Sequence, residues 1–193
     1  MSETNWKCWH TWAIFCFKSF CQLKQLKWAE QTIVCFINAI KYKPHKTRLL
    51  VADILWMITQ DDRGVDRQRI VLRAFDKCID DLPVWIWIIW IPQFIAAVIK
   101  GRSESKTALE ILKRIAREYP QSLYYYLKRF KHQSTSTQSA QGSIEGNLGY
   151  LQDIYDEIKR NEPILYECLE LFSDFIPTLN VRKRGNFGLI FFR

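Results

Sequence analysis

Glycine and proline are scarce, with 7 and 6 residues in a chain of 193. β-Sandwiches and barrels need turn residues every ~8–12 positions, so this scarcity excludes them and favours long helices joined by short turns. Metal-type and redox-type cysteine spacing is also missing. Cys8, Cys16, Cys21, Cys35, Cys78 and Cys168 include no C-x-x-C pair, and His10, His45 and His132 complete no zinc quartet. Most of these thiols lie inside apolar runs, where cysteine packs as a small hydrophobe. The expectation is a reduced, intracellular protein. Nor is there a Gly-rich phosphate loop, a G-x-S-x-G elbow, an H-E-x-x-H pair or an HRD-type loop, so neither catalysis nor a cofactor is expected.

Negative charge is short where it would matter most. Between Lys24 and Arg48 the cations Lys24, Lys27, Lys41, Lys43, Lys46 and Arg48 face one acidic residue, Glu30. Such a stripe attracts acidic partners, nucleic acid or anionic lipid. With no nucleic-acid recognition motif beside it, it reads better as a solvated helix face plus a turn. The acidic pairs Asp61-Asp62 and Asp80-Asp81 fall at helix boundaries, where capping of free N–H groups is the expected role.

Long apolar runs are missing too. Trp12 to Phe20 has no small-residue cleavage site behind it, so no signal peptide is expected. The run VWIWIIWIPQFIAAVI, Val84 to Ile99, is uncharged but interrupted by Pro92-Gln93. It falls short of the ~20 residues that span hydrocarbon. The expectation is a buried core helix and no membrane association, with a Pro92 bend that frees the Ile88 carbonyl and Gln93 helping to satisfy freed backbone groups.

What is abundant is apolar spacing of three and four residues. Ala108, Leu112, Ile115 and Tyr119 form one stripe; Val71, Ala74, Phe75 and Cys78 another; Leu148, Leu151, Tyr155 and Ile158 a third; Leu165, Leu169, Phe172 and Ile176 a fourth. The punctuation between them, Lys43-Pro44, Asp61 to Gly64, Asp81 to Pro83, Gly101 and Tyr119-Pro120, suits helix starts and ends. The pattern predicts helices near 4–22, 25–42, 46–60, 65–80, 83–100, 103–118, 120–131, 147–160 and 163–176. The fold class is therefore all-α, with antiparallel helical hairpins stacked as a TPR- or HEAT-like α-solenoid segment; a compact bundle is the alternative. Residues 1–131 form the repeat segment, 132–146 (HQSTSTQSAQGSIEG) a flexible polar loop, 147–177 a further helical pair, and 178–193 a tail that matches no element pattern.

Two stretches carry a family resemblance. WIWIIWIPQ, with Trp85, Trp87, Trp90, Ile91, Pro92 and Gln93, is followed after one amphipathic helix by REYPQSLYYYL, with Tyr119, Pro120 and Gln121. Together they resemble the C-terminal part of the FAT region in phosphatidylinositol-3-kinase-related kinases, where IPQ- and YPQ-bearing helices pack in a helical solenoid. KYKPHKTRLLVADILWMITQDD, with Lys46, Thr47, Arg48, Leu55 and Trp56, looks like the TRRAP branch, the transcription-associated pseudokinases. The resemblance runs from about Trp6 to Phe130, is weak over Leu148 to Ile176 and is lacking in Val181 to Arg193.

The resemblance implies a nuclear, non-catalytic scaffold in SAGA-type and nucleosome-acetylating coactivator complexes. Its implied partners are other subunits of the complex and transcriptional activators, with nucleic acid less favoured, and it implies membership of a larger polypeptide or complex. The chain departs from the family in length, with no kinase-like domain and no FATC tail, so it is expected to be a fragment, a truncated product or a diverged remnant. Asn186-Phe187-Gly188 resembles a kinase DFG triplet, but an amide lacks the anionic oxygen that Mg²⁺ prefers, and coincidence is the reading. The alternatives are a FAT-region fragment of a catalytically active TOR-like kinase and a basic helical nucleic-acid-binding module. The motif residues have the same reading without any family: core aromatics at helical spacing, and proline starting or kinking a helix.

Overall fold

The computed structural model describes residues 4–59, 69–101, 104–136 and 142–183, with side chains described from 6–59, 69–101, 104–128 and 148–175 except 174. Every regular element among them is helical. The order is α1 (Thr4–Leu23), α2 (Leu26–Tyr42), α3 (Pro44–Thr47), α4 (Leu50–Ile58), α5 (Ile70–Cys78), two 3₁₀ segments (Ile79–Asp81 and Val84–Trp90), α6 (Ile91–Ile99), α7 (Ser105–Glu118), α8 (Pro120–Ser136), α9 (Gly142–Asn161) and α10 (Pro163–Lys183). Neighbours in sequence fold back on one another: α1 on α2, α6 on α7, α8 on α9 and α9 on α10. This is the expected all-α architecture of helical repeats.

The helix starts lack side-chain caps, whereas the helix ends draw on backbone and on hydroxyls such as Thr47 and Ser105. No side-chain cap hydrogen bond closes the N-terminus of α2, α3, α4, α5, α6 or α7. Instead Lys43 N–H returns to Ala39 O at 3.1 Å, and Tyr119 N–H to Ile115 O at 2.7 Å, satisfying carbonyls that would otherwise lack partners. At the α6–α7 turn Gly101 takes φ 60°, and its N–H bonds Val98 O at 3.1 Å. Only glycine holds that left-handed conformation without steric cost.

One apolar cluster runs from Ala13 on α1 to Leu169 on α10. The α1–α2 hairpin buries Ala13, Cys16, Phe20, Ile33, Phe36 and Ile40, and its far side receives Val51, Ile54 and Phe75. Trp87 is the largest fully buried side chain. It meets Phe75 edge-on at 5.8 Å and Phe94 at 6.1 Å, joining α5 to α6 with the edge-to-face geometry that ring quadrupoles favour.

Several expectations need correction. The helix expected at 83–100 is two elements, because Val84–Trp90 is 3₁₀ and the α-helix starts at Ile91. Pro92 stands in the first turn of α6, where its missing N–H costs nothing, so it does not bend a continuous helix. The Ile88 carbonyl is not freed, since the Ile91 N–H bonds to it. Nor is this stretch buried throughout, because Ile89 is 49% exposed. The helix expected at 46–60 is likewise split, into α3 and α4.

The expected polar loop at 132–146 is largely helical backbone, as α8 reaches Ser136 and α9 begins at Gly142. Once a packed turn has nucleated a helix, each further residue adds a bond at small cost, so polar residues extend it without a core of their own. Residues 137–141 lie outside the described residues. The same continuation carries α10 to Lys183, into the tail expected from 178; 184–193, with Asn186-Phe187-Gly188, lie outside.

Asp80 and Asp81 do not cap either. Asp80 pairs with Arg114 at 2.8 Å and Asp81 with Lys41 at 3.3 Å, tying the first 3₁₀ turn to α7 and α2, where the cations of those helices stand within reach. Asp61-Asp62 lies outside the described residues.

Candidate interaction surface

The IPQ and YPQ segments occupy equivalent places, each opening a helix. Ile91 is buried and Pro92 lies in the first turn of α6; Pro120, also buried, starts α8. Gln93 and Gln121, the residues after the prolines, are both exposed. Gln93 therefore makes no hydrogen bond to freed backbone among the described residues; it stands on the rim of a groove. Trp85 is half-buried and stacks on His45 at 5.1 Å, which joins the 3₁₀ segment to α3. Tyr119 is half-buried between α7 and α8.

In the KTR segment the three residues separate by role. Lys46 and Arg48 are exposed, whereas Thr47 is buried. The Thr47 hydroxyl donates to Lys43 O at 2.9 Å and reaches Ala39 O at 3.3 Å, closing the end of α2 onto α3. Leu55 and Trp56 follow on α4, and Trp56 meets Phe17 of α1 edge-on at 5.7 Å.

Leu55, Trp56, Trp90 and Gln93 converge on one open cavity of about 370 Å³ between α4, α5, α6 and α7. Its walls also include Ala52, Leu72, Phe94 and Ala97, and Lys100, Glu104 and Thr107 stand among its polar members. The indole N–H groups of Trp87 and Trp90 are buried without a hydrogen-bond partner among the described residues. Such a slot accepts an apolar side chain. It brings together no nucleophile and base, and among the described residues no group of three His, Cys, Asp or Glu is placed to hold a metal.

The basic corner is arranged over aromatic rings. Lys24 lies 5.5 Å from the Phe20 ring, Lys27 5.4 Å from Trp28 and Lys46 5.9 Å from Trp6, while Lys41 pairs with Asp81. Cations over ring faces retain water on their outer side, as a solvated face requires.

A polar knot that the sequence reading missed fastens the C-terminal helices. Glu170 on α10 accepts from Tyr124 at 2.6 Å, Tyr155 at 2.7 Å and Lys128 at 2.7 Å, and Tyr155 and Tyr166 hydroxyls lie 3.1 Å apart. Burial alone would push the Glu170 carboxyl up, but the hydrogen bonds from Lys128 and the tyrosines outweigh it and bring it down to about 2. Burial and the Glu170 bond push Tyr124 up to about 12. Lys128, despite burial, is held above its ordinary value by Glu170 and Tyr124. The knot spans 46 residues of sequence, and its only local signals are Tyr124 between Leu123 and Leu127 on the apolar side of α8, and a lone carboxylate between Leu169 and Leu171.

No family profile matches the chain. Individual relatives do. The SAGA complex/NuA4 acetyltransferase complex subunit Tra1 of Schizosaccharomyces pombe is 30% identical over 147 residues, 76% of this chain and 4% of that protein. Its namesake in Saccharomyces cerevisiae is 29% identical over 179 residues, 85% of this chain and 5% of that protein. The mouse transformation/transcription domain-associated protein is 26% identical over 193 residues, 93% of this chain and 7% of that protein. The chain thus corresponds to a small part of the length of these relatives, and the resemblance read from the IPQ, YPQ and KTR segments is borne out. Over this stretch of helical repeats, the chain is a member of the Tra1/TRRAP family of transcription-associated proteins, within the phosphatidylinositol-3-kinase-related kinase superfamily.

Proposed function

We propose that this chain is a non-catalytic helical scaffold segment of a TRRAP-like coactivator subunit, acting in the nucleus through protein–protein contacts within an assembly of the SAGA or NuA4 type. The observation that carries the reading is the homology to Tra1 subunits over 76% to 85% of the chain, on a fold whose converging polar groups are occupied in joining helices. Glu170 illustrates the second point: its two oxygens take Tyr124, Tyr155 and Lys128, which leaves a carboxylate held well below the range of a general base at neutral pH. The apolar slot beside Gln93 and the exposed Lys46 and Arg48 are surfaces for other subunits or for acidic activator segments. The IPQ and YPQ segments serve as structural elements that start α6 and α8.

Cross-linking mass spectrometry on nuclear extract containing the tagged chain tests this. Cross-links from residues 41–59 and 84–128 to acetyltransferase-complex subunits are expected. Cross-links confined to proteins outside such complexes, or phosphoryl or acetyl transfer by the repurified chain with ATP and Mg²⁺ or acetyl-CoA and histones, would overturn it.

A further inference from the structure

Three rings form one shelf where α1 leans on α2. Trp12 stacks on Phe15 at 5.3 Å, and Phe15 meets Trp28 of α2 edge-on at 5.8 Å. Engaged as they are with each other, Trp12 is still 47% and Phe15 50% exposed. The shelf follows from helical spacing. Ala13, Cys16 and Phe20 turn inward, with α2 packed against α1, which leaves positions 12 and 15 together on the outer flank of the same helix.

Cations stand along the edge of the shelf. Lys18 follows Phe15 by three residues on α1. Lys27 places its Nζ 5.4 Å from the Trp28 ring centroid, and Lys24, at the turn between the helices, lies 5.5 Å from Phe20. All three lysines are exposed, and none enters an ion pair among the described residues. Between Thr4 and Arg48 eight lysines and arginines stand against Glu30 alone, so this flank carries a positive field.

The two observations together select the occupant. Positive charge alone suits any polyanion. Half-exposed planar rings beside it suit one whose monomers are themselves flat, because bases stack on aromatic side chains while the backbone phosphates meet the flanking lysines. A duplex keeps its base faces inside the stack and offers a helix flank only phosphates and groove edges, so the strand has to be single. An acidic peptide helix lays its apolar face into a hydrophobic groove, whereas this flank intersperses its rings with Thr11, Lys18, Ser19 and Gln22.

We propose that the shelf of Trp12, Phe15 and Trp28, with Lys18, Lys24 and Lys27, binds single-stranded nucleic acid without sequence preference. A base stacks on Trp12 and Phe15, and about three phosphates meet the lysines. The partner differs from the protein contacts proposed above, and the two readings stand or fall separately.

Fluorescence anisotropy of a labelled oligodeoxythymidylate of about 20 nucleotides, titrated with the whole chain, tests the proposal. Neutralising about three phosphates sets a log–log salt slope of about −2, so affinity is expected to fall roughly 100-fold as salt rises from about 0.05 to about 0.5 M. Trp12→Ala and Phe15→Ala are each expected to weaken binding roughly tenfold with that slope unchanged, because they remove stacking and not charge. Trp12→Phe, which keeps a ring, is expected to retain most of the affinity. Lys18→Gln and Lys27→Gln are each expected to make the slope shallower by about 0.7. A duplex of the same length is expected to bind through charge alone, with Trp12→Ala leaving its affinity unchanged, and polyglutamate to displace the strand at least about tenfold less well than unlabelled oligonucleotide. Should Phe15→Ala lose the wild-type circular dichroism through its contact with Trp28, the Trp12 pair of variants decides alone. No binding at about 0.05 M salt, a folded Trp12→Ala chain that binds the strand as the wild type does, or polyglutamate that competes as well as the oligonucleotide would each overturn the proposal, the last assigning the surface to acidic polypeptide.

Discussion

The Tyr124 hydroxyl donates to Glu170 across 2.6 Å, linking α8 to α10 over 46 positions of sequence. Tyr124 is fully buried, stacks on Tyr155 at 5.8 Å and meets Tyr166 edge-on at 5.9 Å. Among the described residues of α10, Leu169 is buried and Leu165 and Tyr166 pack beside it, and the knot adds polar links from this helix to α8 and α9.

Glu170→Gln is therefore expected to loosen α10 alone. A neutral acceptor weakens the charge-assisted bond to Lys128, at a cost of about 2 kcal/mol. Hydrogen exchange should accelerate across 163–173 and stay unchanged in α2. Acid should do the same to the wild type. Because the folded carboxyl lies at about 2, below its ordinary 4.5, its stabilisation is complete above that ordinary value. It is lost as pH falls through the interval down to about 2. Glu170→Gln should show no such loss in that interval, and a wild type whose α10 keeps its protection throughout would contradict the assignment.

How much of this was legible in sequence follows from range. Ala108, Leu112 and Ile115 recur every three or four positions and are all buried on α7, so local periodicity sufficed for the helix and its face. Pro92 misled because proline both ends a helix and starts one; only the 3₁₀ geometry of the seven preceding residues decides between them. Trp87 and Trp90 look alike in a run of apolar residues, yet one is fully buried and the other lines the groove. That distinction comes from Phe75, on another element. The Glu170 knot, with partners on α8 and α9, left only Tyr124 among the α8 leucines and a carboxylate between Leu169 and Leu171 as local signals, and neither names its partner.

Thr47→Val is expected to cost about 1 kcal/mol, measured by urea denaturation. The hydroxyl's bonds to Lys43 O and Ala39 O disappear. Both carbonyls keep backbone partners, Lys43 O from Lys46 and Thr47 N–H and Ala39 O from Lys43 N–H, so neither is stranded and the loss stays modest. Arg48→Ala, on the exposed neighbour, should stay within about 0.5 kcal/mol. A reversed order would mean that the KTR turn is held by its charges.

Thiol reactivity should divide by burial. Cys8 and Cys168 are exposed, whereas Cys16 and Cys35 are buried and burial pushes both thiols up from their ordinary value. Since the thiolate is the reactive form, maleimide should label Cys8 and Cys168 in the folded chain and reach Cys16 and Cys35 only after denaturant is added. Rapid labelling of Cys16 in the native chain would show that the α1–α2 interface opens.

Trp87 and Ile89 offer the sharpest comparison of core against surface, because they lie two residues apart on one 3₁₀ segment. Trp87 fills the space between Phe75 and Phe94, so Trp87→Ala leaves a large cavity bounded by two other helices and should cost ~3–5 kcal/mol. Its indole N–H has no hydrogen-bond partner among the described residues, and Trp87→Phe discards that donor while keeping most of the ring. The phenyl variant should therefore recover most of the loss, leaving about 1–2 kcal/mol. Ile89, half exposed, should lose under about 1 kcal/mol on truncation to alanine. Urea midpoints should fall in the order wild type and Ile89→Ala, then Trp87→Phe, then Trp87→Ala. If Ile89→Ala cost as much as Trp87→Ala, the 3₁₀ segment would have to be turned so that Ile89 faces the core, and the helix rotation assigned to residues 84–90 would be wrong.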